Sequence, residues 1–207
     1  GVSSTRHKVN SALLIIWCIR LGSFLYNRIH KHGKDDRFTE VKQHWLRFLS
    51  YWTVQAAWVF LVSSAVLVVS ESNQCDEIAL GPLDIMGWSI WAVGFGVEVT
   101  ADAQKWNFRA KPENKDKFIT SGLWAYCRHP NYFGEICLWF GVCLSCSNCF
   151  TGTGWLGWSS AAFTYLALTK MSGVPLLEKK AKSLWGNQPE YQWYLDHTPC
   201  IFPALRR

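Results

Sequence analysis

Five apolar stretches, each about 17–20 residues long, constrain the fold of this chain more than any other feature. They span approximately residues 9–27, 51–70, 83–101, 133–150 and 155–171. A helix of about 20 apolar residues crosses the hydrocarbon core of a bilayer, so each stretch is long enough to be a transmembrane span. A buried helix of a soluble protein is the alternative for any single stretch, but five in succession favour a membrane protein.

The loops between these stretches alternate in charge. Three of them carry six Lys or Arg residues each, and two carry none. The basic loops are 28–50, 102–132 and 170–207, and the non-basic loops are 71–82 and 151–154. Because positively charged loops stay on the cytoplasmic side, the alternation predicts five consecutive spans with the basic loops in the cytoplasm. Arg6 and Lys8 fall on the predicted outer side and oppose the pattern.

The composition agrees with this topology. Charged residues make up 17% of the chain, below the roughly 25% of an average soluble protein, and the 13 Trp suit membrane interfaces. We therefore predict one all-α domain over residues 1–207, a polytopic membrane helix bundle with about five transmembrane helices. The first residue is Gly rather than Met, so we expect further spans before it. The net charge of +6 reflects membrane orientation, and no nucleic-acid partner or obligate protein partner is expected.

Charged residues also occur inside or next to the apolar stretches. Arg20, Glu98 and Glu135 fall within them, where charge is costly and indicates function. Asp102 lies four residues after Glu98, on the same helix face. Arg109 follows as the third stretch ends, and its planar guanidinium group could bind a phosphate. A solvated basic loop with a structural Glu–Arg pair is the alternative interpretation.

The densest polar segment is GLWAYCRHPNYFGE, residues 122–135, at the start of the fourth stretch. It adds further polar side chains at the same predicted depth, namely Arg128, His129, Asn131 and Tyr132. After Gly173, the sequence predicts an amphipathic helix ended by Gly186 and followed by an aromatic tail. This helix either lies on the lipid headgroups or closes over the site as a lid that contributes Glu178, Lys180 and Lys182.

Several familiar sites are excluded by motif. No Walker loop, no GxGxxG after a strand and no HExxH is present, so any nucleotide must bind between membrane helices. The HxH pair of His30 and His32 has no carboxylate or Cys residue beside it to complete a metal site, so a solvated loop that turns at Gly33 is favoured. The CxxCxxC spacing from Cys143 to Cys149 lacks the fourth ligand of a ferredoxin motif. We therefore predict no metal site.

Four sequence blocks resemble one family of membrane reductases. They are RLGSFLYNRIHKHGKDDRF, GVEVTADAQKWNFR, RHPNYFGE and the C-terminal SGVPLLEKK segment with its later Trp-Gly, Tyr and Thr-Pro. Together they resemble the C-terminal membrane domain shared by steroid 5α-reductases and sterol C14-reductases, in a less characterised branch. The resemblance covers nearly the whole chain. RHP-x-Y alone is less specific, because isoprenylcysteine carboxyl methyltransferases and related lipid methyltransferases also carry it.

The resemblance implies an oxidoreductase that takes NADPH from the cytoplasmic side and reduces a carbon–carbon double bond in a lipid or sterol-like substrate. It implies a multi-pass protein, in the endoplasmic reticulum if the source is eukaryotic. The residues matched to cofactor binding are Glu98, where steroid reductases place an Asn, and Asp102, Arg109, Arg128, His129, Asn131, Tyr132, Glu135, Glu178, Lys180 and Lys182.

The resemblance leaves the catalytic acid open. Steroid 5α-reductases have a donor Tyr three residues before an Arg in the span that matches 9–27. If Arg20 is that Arg, the donor position is Trp17, whose indole cannot transfer a proton at neutral pH. Tyr132 and Tyr26 are the possible substitutes.

Two alternatives to the reductase stand beside it. One is an S-adenosylmethionine-dependent methyltransferase of a lipid or an isoprenylcysteine carboxyl group, which needs no phosphate clamp. The other is a non-catalytic membrane scaffold or sterol binder. Arg109 and the basic loop favour a dinucleotide over adenosylmethionine.

Overall fold

The computed structural model describes residues 5–32, 43–71, 75 and 77–204, without the side chains of Arg28, Lys31 and His32. The predicted turn at Gly33 therefore lies outside the described residues. The HxH pair cannot be placed as a pair, because the side chain of His32 is not described. Seven α-helices form the described part of the chain. They are α1 (Thr5–His32), α2 (Trp45–Glu71), α3 (Pro82–Ala110), α4 (Pro130–Cys146), α5 (Ser159–Leu166), α6 (Val174–Trp185) and α7 (Pro189–His197).

Helices α1 to α4 contain most of the first four apolar stretches, and α1, α2 and α3 extend beyond those stretches at both ends. Pro occupies the first turn of α3, α4, α6 and α7, where its missing N–H costs no hydrogen bond. The fifth apolar stretch is less regular than expected. A 3₁₀ segment, Gly152–Trp158, precedes α5, and a π-helical turn, Ala167–Met171, follows it. The aromatic tail also differs from the expectation, because it forms α7.

Two helices are long and apolar enough to cross a membrane by length and composition, over Thr5–Asn27 of α1 and Trp45–Glu71 of α2. The prediction of an all-helical bundle is therefore confirmed for the described residues, whereas the prediction of about five transmembrane helices stays a prediction. Large apolar side chains on α2 are well exposed, such as Trp45, Val54 and Phe60. Such a surface suits contact with lipid.

Helices α3 and α4 pack against each other more closely than any other pair in the described chain. They touch at Gly94 and Gly134, and again at Gly87 and Gly141. A Cβ atom added at Gly94 would lie 2.6 Å from the carbonyl oxygen of Gly134, a distance that real Cβ atoms do not show. Small residues let membrane helices approach at backbone distance. The contact places the first two turns of α4 beside Glu98 of α3.

A second polar cluster lies at the opposite end of the bundle. Arg6 of α1 and Asp84 of α3 form a fully buried ion pair, with Nε donating to Oδ1 at 2.5 Å and Nη2 to Oδ2 at 2.9 Å. Cys75 and Cys149 form a disulfide beside it. Of the three cysteines in the CxxCxxC spacing, Cys149 is therefore cross-linked, while Cys143 and Cys146 are buried free thiols.

Candidate functional site

Helices α1 and α3 bring charged side chains together in one cluster. Arg20 of α1 donates from Nη1 to Glu98 Oε1 at 2.5 Å and from Nη2 to Asp102 Oδ2. Glu98 is buried, and its second oxygen, Oε2, has no hydrogen-bond partner among the described residues. Both carboxylates are predicted site residues, whereas Arg20 is predicted only as a charge in an apolar stretch. Its pairing across 78 residues of chain depends on how α1 packs.

The start of α4 supplies the next part of the site. Asn131 and Tyr132 are half-buried, and Asn131 Oδ1 has no hydrogen-bond partner in the described chain. The ring of Tyr132 stacks on His129, with centroids 5.7 Å apart. Glu135 is half-buried in the next turn, directly after Gly134, which contacts α3 at Glu98. Residues predicted from the NYFGE motif are therefore held beside the α3 carboxylates by the glycine contact.

The C-terminal helices attach to this motif through ion pairs. Arg128 Nη1 donates to Glu178 Oε2 at 2.9 Å, and His129 Nε2 lies 2.8 Å from Glu178 Oε1. Burial alone would raise the pKa of Glu178. The His129 hydrogen bond and the Arg128 charge outweigh burial and hold that pKa below its ordinary value. The interaction fixes α6 over the loop, as the lid interpretation predicts.

Backbone and hydroxyl hydrogen bonds complete this attachment. The N–H groups of Arg128 and His129 donate to the carbonyls of Pro199 and Cys200, at 2.9 and 3.1 Å. The Tyr194 hydroxyl donates to the Trp124 carbonyl at 2.7 Å. Burial raises the pKa of Tyr194, so the hydroxyl stays protonated and able to donate. The C-terminal segment is thus a fixed wall of the site.

A cavity of about 670 Å³ opens between the end of α3, the loop after it, and helices α6 and α7. Its volume is within the range of small-molecule sites. Six basic side chains line it, namely Lys105, Arg109, Lys111, Lys115, Arg128 and Lys180. Its aromatic lining is formed by Phe118, Trp124, Trp185, Tyr191 and Tyr194. Glu178 is the acidic side chain in this lining, and it is already paired with Arg128.

Two of the cations are held against aromatic rings. Lys105 Nζ lies 4.8 Å from the centroid of a Trp124 ring, and the Arg109 guanidinium carbon lies 5.6 Å from that of Trp185. Lys105, Arg109, Lys111 and Lys180 form no ion pair with a described acidic residue. A cavity with this surplus of positive charge is suited to an anionic ligand with a flat ring to stack.

The cavity lining does not include Glu98, Asp102, Asn131, Tyr132 or Glu135, and further predicted residues also lie elsewhere. Lys182 is exposed and is not part of the cavity lining. Tyr26 is 69% exposed on α1 and stacks on His30. Trp17, at the position of the donor Tyr in the resemblance, is buried between Trp58 and Trp139. The structure therefore brings Tyr132, not Tyr26, to the other site residues.

Lys111 and Lys115 line the cavity but are not among the predicted site residues. Both follow α3 in a basic loop for which a solvated conformation was the alternative, and they flank the 3₁₀ turn Pro112–Asn114. The wall residues Trp124 and Trp185 were also missed. Their only sequence signal is aromatic enrichment, which membrane interfaces share.

His129, Glu178 and Cys200 have potential ligand atoms within 4.8 Å of one another, a spacing compatible with a metal ion. However, the Arg128 guanidinium group already occupies one Glu178 oxygen, and the adjoining cavity is strongly basic. Both features oppose a cation. We interpret the cluster as a hydrogen-bonded anchor for α6 and the C-terminal tail.

Residues 2–198 match a family model described as a protein of unknown function, DUF1295. An uncharacterized protein of Schizosaccharomyces pombe is 24% identical over 99% of this chain and 65% of its own length. The bovine 3-oxo-5-alpha-steroid 4-dehydrogenase 1 is 30% identical over 45% of this chain and 34% of its own. The human 3-oxo-5-alpha-steroid 4-dehydrogenase 1 is 27% identical over 58% and 38%.

The chain thus spans between about a third and two thirds of the length of these curated relatives. No solved structure matches it. The resemblance to steroid 5α-reductases seen in the sequence is confirmed by these relatives.

Proposed function

The chain belongs to the DUF1295 family, and from this premise we propose that it is a membrane-embedded, NADPH-dependent reductase of a carbon–carbon double bond. Its substrate is a steroid-like or other lipid molecule that reaches the site from the membrane. The observation that carries the proposal is the cavity with six basic side chains, two of which, Lys105 and Arg109, follow Asp102 on α3. The five-span topology, a cytoplasmic cavity and, in a eukaryote, residence in the endoplasmic reticulum belong to the same proposal.

The cations of the cavity fit the phosphates of a dinucleotide. Arg109 and Arg128 offer planar, multidentate donors for a pyrophosphate group. Lys111 and Lys115 lie at the exposed mouth, where they would meet a further phosphate on the ribose. This number of cations exceeds what the pyrophosphate of NADH requires and favours NADPH. An aromatic ring of the cavity lining would provide a face for the adenine.

The buried part of the site fits the nicotinamide end. Glu98 Oε2 and Asn131 Oδ1 are buried acceptors without a described partner, and a carboxamide NH₂ group supplies donors of the required kind. Glu98 replaces the Asn that steroid reductases have at this position. Arg20 holds the other Glu98 oxygen, so the carboxylate is fixed in orientation before any ligand binds.

Bound NADPH would supply a hydride to one carbon of the substrate double bond. The protein's own part is to orient the reactants, to exclude water and to deliver a proton to the second carbon or its conjugated oxygen. Tyr132 is the residue that we assign to this proton transfer. Its ring is positioned by stacking on His129, whose Nε2 is in turn fixed by Glu178.

The methyltransferase alternative is not favoured. The named relatives are steroid dehydrogenases, and the charge of the cavity exceeds what the single carboxylate of adenosylmethionine could match. A scaffold without a ligand is also not favoured. Four cations lack an acidic partner in the described chain, and without an anionic ligand their charges would repel one another.

The test is equilibrium binding of NADPH and S-adenosylmethionine, side by side, to the detergent-solubilised protein. We expect NADPH to bind and Arg109→Ala to weaken that binding. Lys179→Ala is the matched control, because Lys179 is exposed and does not line the cavity. Binding of adenosylmethionine alone, or NADPH binding that Arg109→Ala leaves unchanged, would refute the proposal. In a second test, Tyr132→Phe should retain NADPH binding and lose reduction of the substrate.

A further inference from the structure

The end of the bundle opposite the cavity contains a covalent cross-link and a buried ion pair that the proposed reaction does not use. We propose that Cys75–Cys149 is an oxidatively formed clasp on the non-cytoplasmic side of the membrane. It closes the loop after α2 onto the end of α4 and so locks the N-terminal end of α1 in place through Arg6. The proposal does not depend on the cofactor or the substrate.

The position of the bond is the first argument. Cys75 follows α2 in the non-basic loop 71–82, and Cys149 follows α4 within residues 147–158, which also contain no Lys or Arg. Loops without positive charge lie away from the cytoplasm. Disulfides persist in oxidising compartments and are rare in the reducing cytosol. Charge pattern and bond therefore assign this end to the same, non-cytoplasmic side.

The contacts of Arg6 are the second argument. Its guanidinium group is fully buried, and besides Asp84 it donates to the carbonyls of Cys75 (3.4 Å), Ile78 (3.3 Å) and Ala79 (3.1 Å). Nη1 also lies 3.3 Å from the Cys149 sulfur. The cross-linked loop thus forms a ring of acceptors around one α1 side chain. Fixing that loop fixes the acceptors that a buried guanidinium group requires.

The next turn of α1 continues the same attachment. Asn10 is fully buried, and its Oδ1 accepts from Ser145 Oγ at 2.8 Å and from Trp88 Nε1 at 3.2 Å. The ion pair of Arg6 also accounts for its position on the predicted outer side, where the loop-charge pattern does not expect a basic residue. Arg6 pairs with Asp84, so it contributes no net positive charge to the outer side.

Formation of the bond is a thiol–disulfide exchange. Each thiol gives up its proton and the pair gives up two electrons as the S–S bond forms, and a disulfide oxidant of that compartment accepts them and becomes a dithiol. A dithiol reductant reverses the step. Both sulfurs are buried, so the folded protein should exchange only slowly.

The bond is tested in the full chain isolated from its native membrane. Free thiols are blocked with N-ethylmaleimide in denaturant, the protein is digested without reduction, and peptides are mapped by mass spectrometry. We expect a linked Cys75–Cys149 peptide that separates on reduction, and alkylated Cys18 as the internal control, because Cys18 is an exposed free thiol. Alkylation of Cys75 and Cys149 without reduction would overturn the proposal.

The side of the membrane is tested with single added thiols at exposed positions. Thr153→Cys follows the clasp, and Lys117→Cys lies in the basic loop. In sealed vesicles with the cytoplasmic face outward, an impermeant maleimide should label Lys117→Cys at once and Thr153→Cys only after permeabilisation. Labelling of Thr153→Cys in intact vesicles would refute the assignment.

The locking role is tested by stability. Cys75→Ser/Cys149→Ser should lower the melting temperature and expose α1 backbone amides near Arg6 to hydrogen exchange. Cys18→Ser should change neither. If the double variant melts and exchanges like the parent, the bond does not lock α1.

Discussion

The two ends of the helix bundle both contain charged residues at low exposure, but they satisfy those charges in different ways. At the disulfide end, Arg6 has acceptors for its N–H groups in Asp84 and three carbonyls. At the cavity end, Glu98 keeps one buried oxygen without a described partner, and several lysines have no described acidic partner. A complete polar network stabilises one packing arrangement, whereas an incomplete one is suited to a ligand. The difference separates an end that stabilises the fold from an end that, in the proposed function, binds the cofactor.

The largest expected effect breaks the complete end. Arg6→Ala leaves Asp84 buried without its partner, which costs about 3–5 kcal/mol in the free energy of unfolding. The melting temperature in detergent measures the loss. Lys8→Ala, an exposed residue on the same helix, is the control and should have no effect. If Arg6→Met/Asp84→Leu is as unstable as Arg6→Ala, the cost does not come from an unpaired charge.

The second effect concerns the cavity end, where a substitution should lower ligand affinity and leave stability nearly unchanged. Arg109→Ala removes a phosphate-binding group but no described ion pair, so NADPH affinity should fall about 10- to 100-fold. The melting temperature without ligand should stay close to that of the parent. Titration calorimetry and thermal melting, made on the same preparation, measure both quantities. A variant that loses stability instead of affinity would place Arg109 in the structural part of the protein.

A smaller effect should distinguish NADPH from NADH. Lys111→Ala and Lys115→Ala should each weaken NADPH binding roughly two- to fivefold, because exposed ion pairs contribute little. NADH binding should change less, since it lacks the additional phosphate. Lys117→Ala, also exposed but outside the cavity, is the matched control. Equal losses for both cofactors would assign the two lysines to the pyrophosphate.

The smallest effect concerns the attachment of α6. The pKa of Glu178 is lowered in the folded protein, so its contribution to stability is present above its ordinary pKa and is lost as pH falls through the folded value. Glu178→Gln should therefore destabilise the protein at neutral pH, by less than about 1 kcal/mol for this partly exposed pair. Melting curves of parent and variant should converge in acid. A difference that grows as pH falls would contradict the assigned ion pairs.

Local patterns account for what the sequence predicted well. The apolar stretches predicted that α1 to α4 exist, since hydrophobicity depends on neighbours within a few residues. The 3₁₀ segment before α5 was not predictable, because it lies where Gly157 packs tightly on Phe150 and α2. Arg109, Arg128, His129, Glu178 and Lys180 are the predicted residues that line the cavity.

By itself, the sequence determined the helical class, the alternation of basic loops and the residue types available for a phosphate-bearing ligand. The tertiary structure decided which of those residues meet. It paired Arg20 with Glu98 and Arg6 with Asp84, each across 78 residues, and it brought Lys111 and Lys115 to the cavity while leaving Lys182 outside. The physical reason is that hydrophobicity and loop charge are local properties, whereas an ion pair depends on how distant helices pack, here on how α1 packs against α3.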